Sequence, residues 1–562
     1  MKDTIIDSFL ESVEKFPERP ALLYREGHHF ESLTYANLYI YAQKLAVYLK
    51  SQGIKEGDRI VLISENRPEW VISDIATLIL GAILVPIHSV LASAQIKTIT
   101  DEVEPAVILV SDGAHLTKVE TNSVPAEVLV GIFENELQPQ SIKKYFLFKR
   151  EVFDGKFEPK IDPVKHDPDR VITIIYTSGT TGEFKGVELT NRNFITNVGD
   201  VLTEVEVNEN DKFLSILPLS HVFERTVGYY VALLRGATTS YVEDPKKIAD
   251  IAKIQRPTII IAVPRLYEKV YEGIIEKAET GLAKKIVFRS AVWIGKKFPK
   301  ETLAYKLADK LVFHKVKSAF GGQIKFFVSG AAALPLKIGE FFEALNMPVL
   351  EGYGLTETSP IITTNTQKHR RYGTIGRVLP SLEIKVVKDE LYVRGPSVFS
   401  RYYKKPEKTK EAFTKDGWFK TGDLVSIDKE GYVKFKAREK EIIVLSTGKN
   451  ISPAYIEEKL EEIPVISQAF VFGDTQKHVG AFIVPNKELT AGRIGTDLHE
   501  FIAHEIDINL NQHVASYEQI RKFIITNKPF TVENGLMTPT LKLRRKEIEF
   551  VYAKELGVFY KE

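Results

Sequence analysis

The stretch Tyr176-Thr177-Ser178-Gly179-Thr180-Thr181-Gly182-Glu183-Phe184-Lys185-Gly186 constrains this chain more than any other. Before it, Val171-Ile172-Thr173-Ile174-Ile175 is a short β-branched apolar run, which predicts a buried strand. After it, Val187-Glu188-Leu189 leads to Thr190 or Asn191, either of which suits the N-cap of a helix through Phe194, Val198 and Leu202. Between them lie three glycines, four hydroxyl residues and one lysine. Glycine lets the backbone approach a ligand closely. Hydroxyls and bare N–H groups donate to phosphate oxygens, and the lysine adds positive charge. This combination predicts a polyphosphate-binding loop; a ligand-free Gly/Thr surface loop is the competing reading. The Walker arrangement is absent, because Phe184 precedes Lys185 and Gly186 follows it.

With 562 residues the chain should form two or more domains. Its 44% apolar and 27% charged content is that of a water-soluble globular protein. A net charge of +2 does not call for nucleic acid. Zero cysteines exclude disulfides, a cysteine nucleophile and cysteine metal sites, and suit a reducing interior. Residues 1–18 lack the basic and apolar regions of a signal peptide. The most membrane-like run, Trp70 to Leu91, contains Asp74, Gly81 and Pro86, so it reads as a buried helix followed by a strand.

Apolar periodicity predicts a helix over 33–53 and strands at 59–63, 82–85, 107–110 and 127–130, with a helix over 70–80. This alternation argues for α/β sheets covered by helices. Further strands are expected at 213–217, 258–263, 326–329 and around 349, and a hairpin at 425–436. Residues 284–317 hold ten Lys/Arg against two acids, a local charge of +8 that leaves −6 on the rest of the chain. Val287, Phe288, Ala291, Val292, Ile294 and Phe298 recur there at helical spacing. The stretch is either a basic amphipathic helix for an anionic membrane surface or a solvated face over ordinary core.

The loop string resembles that of the adenylate-forming superfamily, which includes acyl-CoA synthetases, adenylation domains of peptide synthetases and luciferases. That family usually has proline where Phe184 stands. The resemblance runs from Tyr176 to Lys542 through several further strings. Pro218-Leu219-Ser220-His221-Val222-Phe223-Glu224-Arg225 is most similar to long-chain acyl-CoA synthetases. It implies that His221 lies at the reacting carboxylate and α-phosphate; Phe223 and Arg225 receive no role. Phe326 to Leu334 and Val349-Leu350-Glu351-Gly352-Tyr353-Gly354-Leu355-Thr356-Glu357-Thr358 match in order and spacing. They imply Ala331, Glu351, Gly352 and Tyr353 as an adenine pocket, Thr356 at phosphate and Glu357 as the Mg²⁺ ligand. The loop residues Thr177, Ser178, Gly179, Thr180, Thr181, Gly182 and Lys185 would hold the ATP phosphates.

Near the C-terminus, Asp423 in Lys420-Thr421-Gly422-Asp423 matches the ribose-binding aspartate and Arg438 its partner arginine. Lys440 falls at the family's hinge, Gly448 and Lys449 beside the path of CoA, and Lys542 at the adenylation lysine. Thr540-Leu541-Lys542 stands where most relatives have Thr-Gly-Lys. The implied fold is a large N-terminal domain, 1–437, of stacked α/β sheets plus a β-barrel-like part. A small mobile α+β domain, 438–562, follows it. The implied activity is ATP- and Mg²⁺-dependent ligation of a long-chain fatty acid to CoA, releasing AMP and pyrophosphate, in the cytoplasm or peripherally on the inner membrane face. Delivery of the acyl group to a carrier protein, an oxygen-using light emitter and a non-catalytic nucleotide sensor are the alternatives.

Overall fold

The computed structural model describes residues 2–560 apart from 27–28, 123, 156, 166, 179–183, 243–246, 279, 533 and 539–540. The chain forms two compact units, Met1–Ile384 with Val393–Phe419, and Lys385–Tyr392 with Lys420–Glu562.

The first unit stacks two large sheets. A seven-stranded sheet runs, from edge to edge, Tyr145–Leu147, Leu129–Ile132, Val107–Val110, Arg59–Ile63, Ile83–Ile87, Val171–Ser178 and Phe184–Thr190. All neighbours are parallel except the last pair. The strand over 171–178 is thus followed by a second, antiparallel strand before the expected helix, so the glycine-rich stretch is a hairpin connection. That helix spans Asn191–Glu204, and Thr190 is its N-cap, accepting from the Asn193 N–H. A nine-stranded sheet carries at its centre the parallel strands Val349–Gly354, Phe326–Ser329, Ile259–Ala262, Lys212–Ser215 and Thr238–Tyr241.

Strand alternation decides which side of each sheet meets which helices. Ile60 and Leu62 face inward with Phe213, Ile259 and Phe326, and together with the helices Pro68–Leu80 and Asn191–Glu204 they form the central core. Val61 and Ile63 point to one outer layer, and Leu214, Ile260 and Phe327 to the other. The membrane-like run 70–91 is the inner helix plus the strand Ile83–Ile87, as expected. No helix among the described residues is long and apolar enough to cross a membrane.

Residues 284–317 do not form one helix. A helix over Leu282–Lys297 ends where Phe298, which precedes Pro299, turns extended (φ −111°, ψ 139°). A second segment starts at Thr302, which caps Leu303–Ala308, and continues through Asp309–Phe313 and His314–Ala319. Phe288 and Ala291 of the expected lipid-facing set are buried in the outer core of the nine-stranded sheet. These two are therefore core residues, whereas Val287 and Phe298 of the same apolar set are exposed.

The second unit carries most of a hairpin, Phe419–Ile427 with Val433–Arg438. A three-stranded sheet follows, Ile466–Phe472, Gly480–Pro485 and Phe523–Ile525, packed by the helices Pro453–Glu461 and Gly495–Asn509. Ser452 and Pro453 open the first of these helices as N-cap and first-turn proline.

Candidate functional site

The glycine-rich hairpin ends in backbone pairs Thr177 with Lys185 and Ser178 with Phe184. Gly179, Thr180, Thr181 and Gly182 lie outside the described residues, as does the side chain of Ser178. The returning strand is clasped by a segment that sequence reading passed over. The Tyr403 N–H donates to the Gly186 carbonyl at 2.7 Å and Lys405 Nζ to the Phe184 carbonyl at 2.9 Å. This sets the Tyr402 ring under the Lys185 ammonium, 5.1 Å from nitrogen to centroid. The Tyr402 hydroxyl donates to Glu357 Oε1 at 2.8 Å. One tyrosine therefore joins the loop lysine to the expected metal ligand, and burial beside Glu357 pushes its phenol far above the usual range. The two adjacent tyrosines in Arg401-Tyr402-Tyr403-Lys404 were the only sequence signal.

Glu357 sits on a single 3-10 turn, Thr356–Thr358, directly after the strand Val349–Gly354, and its backbone carbonyl accepts from the Phe399 N–H at 2.8 Å. Its carboxylate offers hard oxygen donors on a rigid turn beside a loop lysine, which fits Mg²⁺ shared with substrate phosphates. On the neighbouring strand, Phe326–Ser329 ends at Gly330 and at Ala331, which holds a left-handed φ of +72°. Glu351 is buried and accepts the Leu334 N–H at 3.0 Å, so it ties down the loop after Ala331. Gly330 and Gly352 both face the Phe223 ring; a Cβ on Gly330 would lie 2.6 Å from it. Ala331, Glu351, Gly352 and Tyr353 thus fall on the ends of two paired strands.

His221 follows the strand Lys212–Ser215 and accepts the Phe223 N–H at Nδ1, 3.2 Å away. Asn66 organises the approach: its side chain donates to Ser215 Oγ and to the Leu217 carbonyl, and accepts from the Leu219 N–H. The His88 ring stacks on His221 with centroids 6.2 Å apart and bonds Ser220 Oγ at 2.7 Å. Desolvation pushes His88 down to about 4, so it stays neutral at ordinary pH.

Arg225 now has a role. It is fully buried, and reaches Asp74 at 2.5 Å, Thr173 at 2.8 Å and Tyr230 at 3.1 Å. It anchors the His221 segment to the inner helix and to the strand leading into the loop. Glu224 beside it is fully buried, and desolvation pushes it up to about 8 although the nearby Ser215 hydroxyl pulls the other way. Past Phe223 a narrow apolar pocket opens, lined by Val227, Val231, Val328, Leu350 and Gly352 among others.

In the second unit Asp423 and Arg438 face each other across the hairpin. The buried Asp423 carboxylate accepts from Arg438 Nε at 2.7 Å and Nη2 at 3.1 Å. Lys440 follows on the exposed turn Glu439–Glu441. Gly448 has φ +76° in a turn closed by its N–H to the Leu445 carbonyl, and Lys449 Nζ lies 5.6 Å from the Tyr517 ring centroid. Lys542 is held by mutual bonds between its backbone and Thr538. Although the residue as a whole is exposed, its ammonium is set among protein atoms. That desolvation, with repulsion from Arg438, lowers its pKa to about 8 against the pull of Asp423 and Glu441. Leu541 holds φ +60°, a conformation that costs a leucine more than a glycine.

The sequence profile of AMP-binding enzymes matches residues 9–403, and that of the AMP-binding enzyme C-terminal domain matches 440–562. The long-chain-fatty-acid–CoA ligase FadD15 of Mycobacterium bovis is 34% identical over 92% of this chain and 90% of its own length. The long-chain-fatty-acid–[acyl-carrier-protein] ligase AEE15 of Arabidopsis thaliana, a chloroplastic protein, is 29% identical over 99% of this chain and 86% of its own. Among solved structures, the adenylation domain of a carboxylate reductase from Mycobacterium chelonae superposes with a TM-score of 0.82 at 24% identity. It covers all of this chain and 91% of that one.

Proposed function

Because the chain belongs to the family of AMP-binding enzymes, we propose that it ligates a long-chain fatty acid to CoA through an acyl-adenylate, releasing AMP and pyrophosphate. The observation that carries this reading is the convergence, in one unit, of the Lys185 hairpin, Glu357 and an apolar pocket beside Phe223 and Gly352. A polyphosphate site next to an apolar slot suits an amphiphilic acid as the second substrate.

In the first step the fatty carboxylate attacks the α-phosphorus of ATP. Two anions must meet, so the protein's task is neutralisation and alignment. Lys185, the hairpin N–H groups and Lys542 hold the phosphates, and Tyr353, Ala331, Glu351 and Gly352 seat the adenine. Asp423, braced by Arg438, accepts from the ribose hydroxyls. Glu357, aimed by Tyr402, and Thr356 would hold Mg²⁺, which supplies further neutralisation of phosphate charge. His221 lies at the carboxylate. In the second step the CoA thiolate attacks the acyl carbonyl and AMP leaves; no protein nucleophile is needed, in keeping with zero cysteines. Gly448 and Lys449 border the CoA path in this reading, and Lys440 is the hinge between the two steps. Peripheral contact with a membrane through residues 284–317 belongs to the same reading, since fatty acids partition into bilayers.

A second reading, delivery to a carrier protein, is favoured by the similarity to the carrier-protein ligase of Arabidopsis. One experiment separates the two. Purified protein is incubated with ATP, Mg²⁺ and C4 to C20 fatty acids, with and without CoA, and the products are weighed by mass spectrometry. Acyl-CoA and AMP together support ligation to CoA, and the depleted acids report chain length. Acyl-adenylate with CoA untouched moves the reading to a carrier protein. Absence of pyrophosphate overturns both.

A further inference from the structure

The helix Leu282–Lys297 packs through Phe288 and Ala291 on the helix Leu336–Ala344, within the outer core of the nine-stranded sheet. Gly295 permits that contact, because a Cβ there would meet the Ala344 carbonyl oxygen at 2.4 Å. Positions 282, 286 and 293 fall on the opposite side of the helix by its 3.6-residue period. They are Leu282, Ile286 and Trp293, all more than half exposed. The following segment repeats the arrangement. Tyr305 and Ala308 are buried, while Leu303, Leu307 and Leu311, spaced four apart, are 85%, 59% and 54% exposed. The two segments pack against each other. A water-facing surface carries isolated leucines, not two aligned apolar stripes.

Charge surrounds these stripes. Lys296, Lys300 and Lys317 are paired with Glu340, Glu343 and Asp309. Lys284, Lys297, Lys306, Lys310 and Lys315 remain exposed along both segments. An apolar strip bordered by lysines matches a bilayer interface, where acyl chains accept the strip and anionic headgroups the ammonium groups. A second copy of this chain would bring the same lysines face to face, which disfavours self-pairing.

We infer that the outward stripes of 282–297 and 303–313 form a docking surface for an anionic lipid bilayer. The lipid-facing side chains are Leu282, Ile286, Trp293, Leu303, Leu307 and Leu311, not the buried Phe288 and Ala291 of the periodic set that the sequence offers. This deepens the membrane contact in the reading above, yet its test needs no substrate, so it succeeds or fails apart from the ligase activity.

Full-length protein is mixed with vesicles of phosphatidylcholine alone or with phosphatidylglycerol added. The expected result is co-sedimentation with the anionic vesicles that weakens as salt rises. Trp293 is a built-in reporter, since it is 56% exposed whereas Trp70 and Trp418 are buried. Its emission should shift to the blue on binding, and Trp293→Phe should abolish the shift. The triple variant Leu303→Ser, Leu307→Ser, Leu311→Ser should partition about tenfold or more weakly, with the thermal transition of the parent because those side chains face water. Equal partition of parent and triple variant would overturn the inference, as would indifference to phosphatidylglycerol. So would a parent dimer that the triple variant dissolves, because a second copy would then be the occupant.

Discussion

Lys542 and Tyr402 show how single side chains carry the proposed chemistry. An ammonium lowered to about 8 is charged below that pH and neutral above it. In the proposed mechanism adenylation needs the charged form, so kcat/KM for ATP, which reports the free enzyme, should fall as pH rises through about 8. Lys542→Arg should remove that limb, because a guanidinium stays protonated. An unchanged alkaline limb in the arginine variant would refute the assignment. For Tyr402, replacement by Phe keeps the ring under Lys185 but removes the donor to Glu357. Losing a hydrogen bond to a charged acceptor costs about 1.5–3 kcal/mol. Tyr402→Phe should therefore raise the Mg²⁺ concentration needed for half-maximal ATP binding, read by calorimetry, by about tenfold or more, with little change in melting temperature. Identical Mg²⁺ dependence would leave the tyrosine a packing residue only. The Tyr402 role was not open to sequence reading, because Tyr402 stands 217 positions from Lys185 and 45 from Glu357 and meets them only after folding; Lys542 was named by resemblance, but its desolvation was not legible, since such a lysine looks like any other in a basic tail.

At the scale of elements, legibility followed locality. The strand at 171–178, the helix at 191–204 and the hairpin at 419–438 were readable because β-branched runs, caps and turn residues act over a few positions. The strand Phe184–Thr190 was not, because its glycine and charges look like loop until they pair with the preceding strand. Arg225 had no readable role, since its partner Asp74 is 151 residues away. The segment 284–317 was ambiguous for a different reason. It has apolar residues on two faces, and periodicity finds a face without saying whether core or solvent lies beyond it. The apolar pocket is a further product of packing, formed where Val227 and Val231 meet Val328 and Leu350. If it takes the acyl chain, Val231→Trp should shorten the preferred acid by several carbons in the mixed-acid assay. Overpacking should also cost about 1–3 kcal/mol of stability. An unchanged chain-length profile in the folded variant would place the acyl chain elsewhere.

For the whole molecule, two steps with different needs must share one chain. In the proposed mechanism adenylation requires Lys542 at the phosphates, and thioester formation requires room for a thiol at the same carbonyl. In the proposed mechanism Lys440, on its exposed turn, absorbs the backbone change between them. The two half-reactions should then separate by mutation. Lys542→Ala should lower acyl-adenylate formation by about 10²-fold or more, the usual cost of losing one transition-state charge donor. It should leave the transfer of preformed acyl-adenylate to CoA near the parent rate. Lys440→Pro should do the reverse, because proline fixes φ and restricts the residue before it. Pyrophosphate release measures the first step, and consumption of synthetic acyl-adenylate with CoA measures the second. A hinge that serves both chemistries predicts opposite losses in the two variants. Equal loss of both steps in either one would mean that Lys542 and Lys440 support a single fixed arrangement, and the division of labour would have to be abandoned.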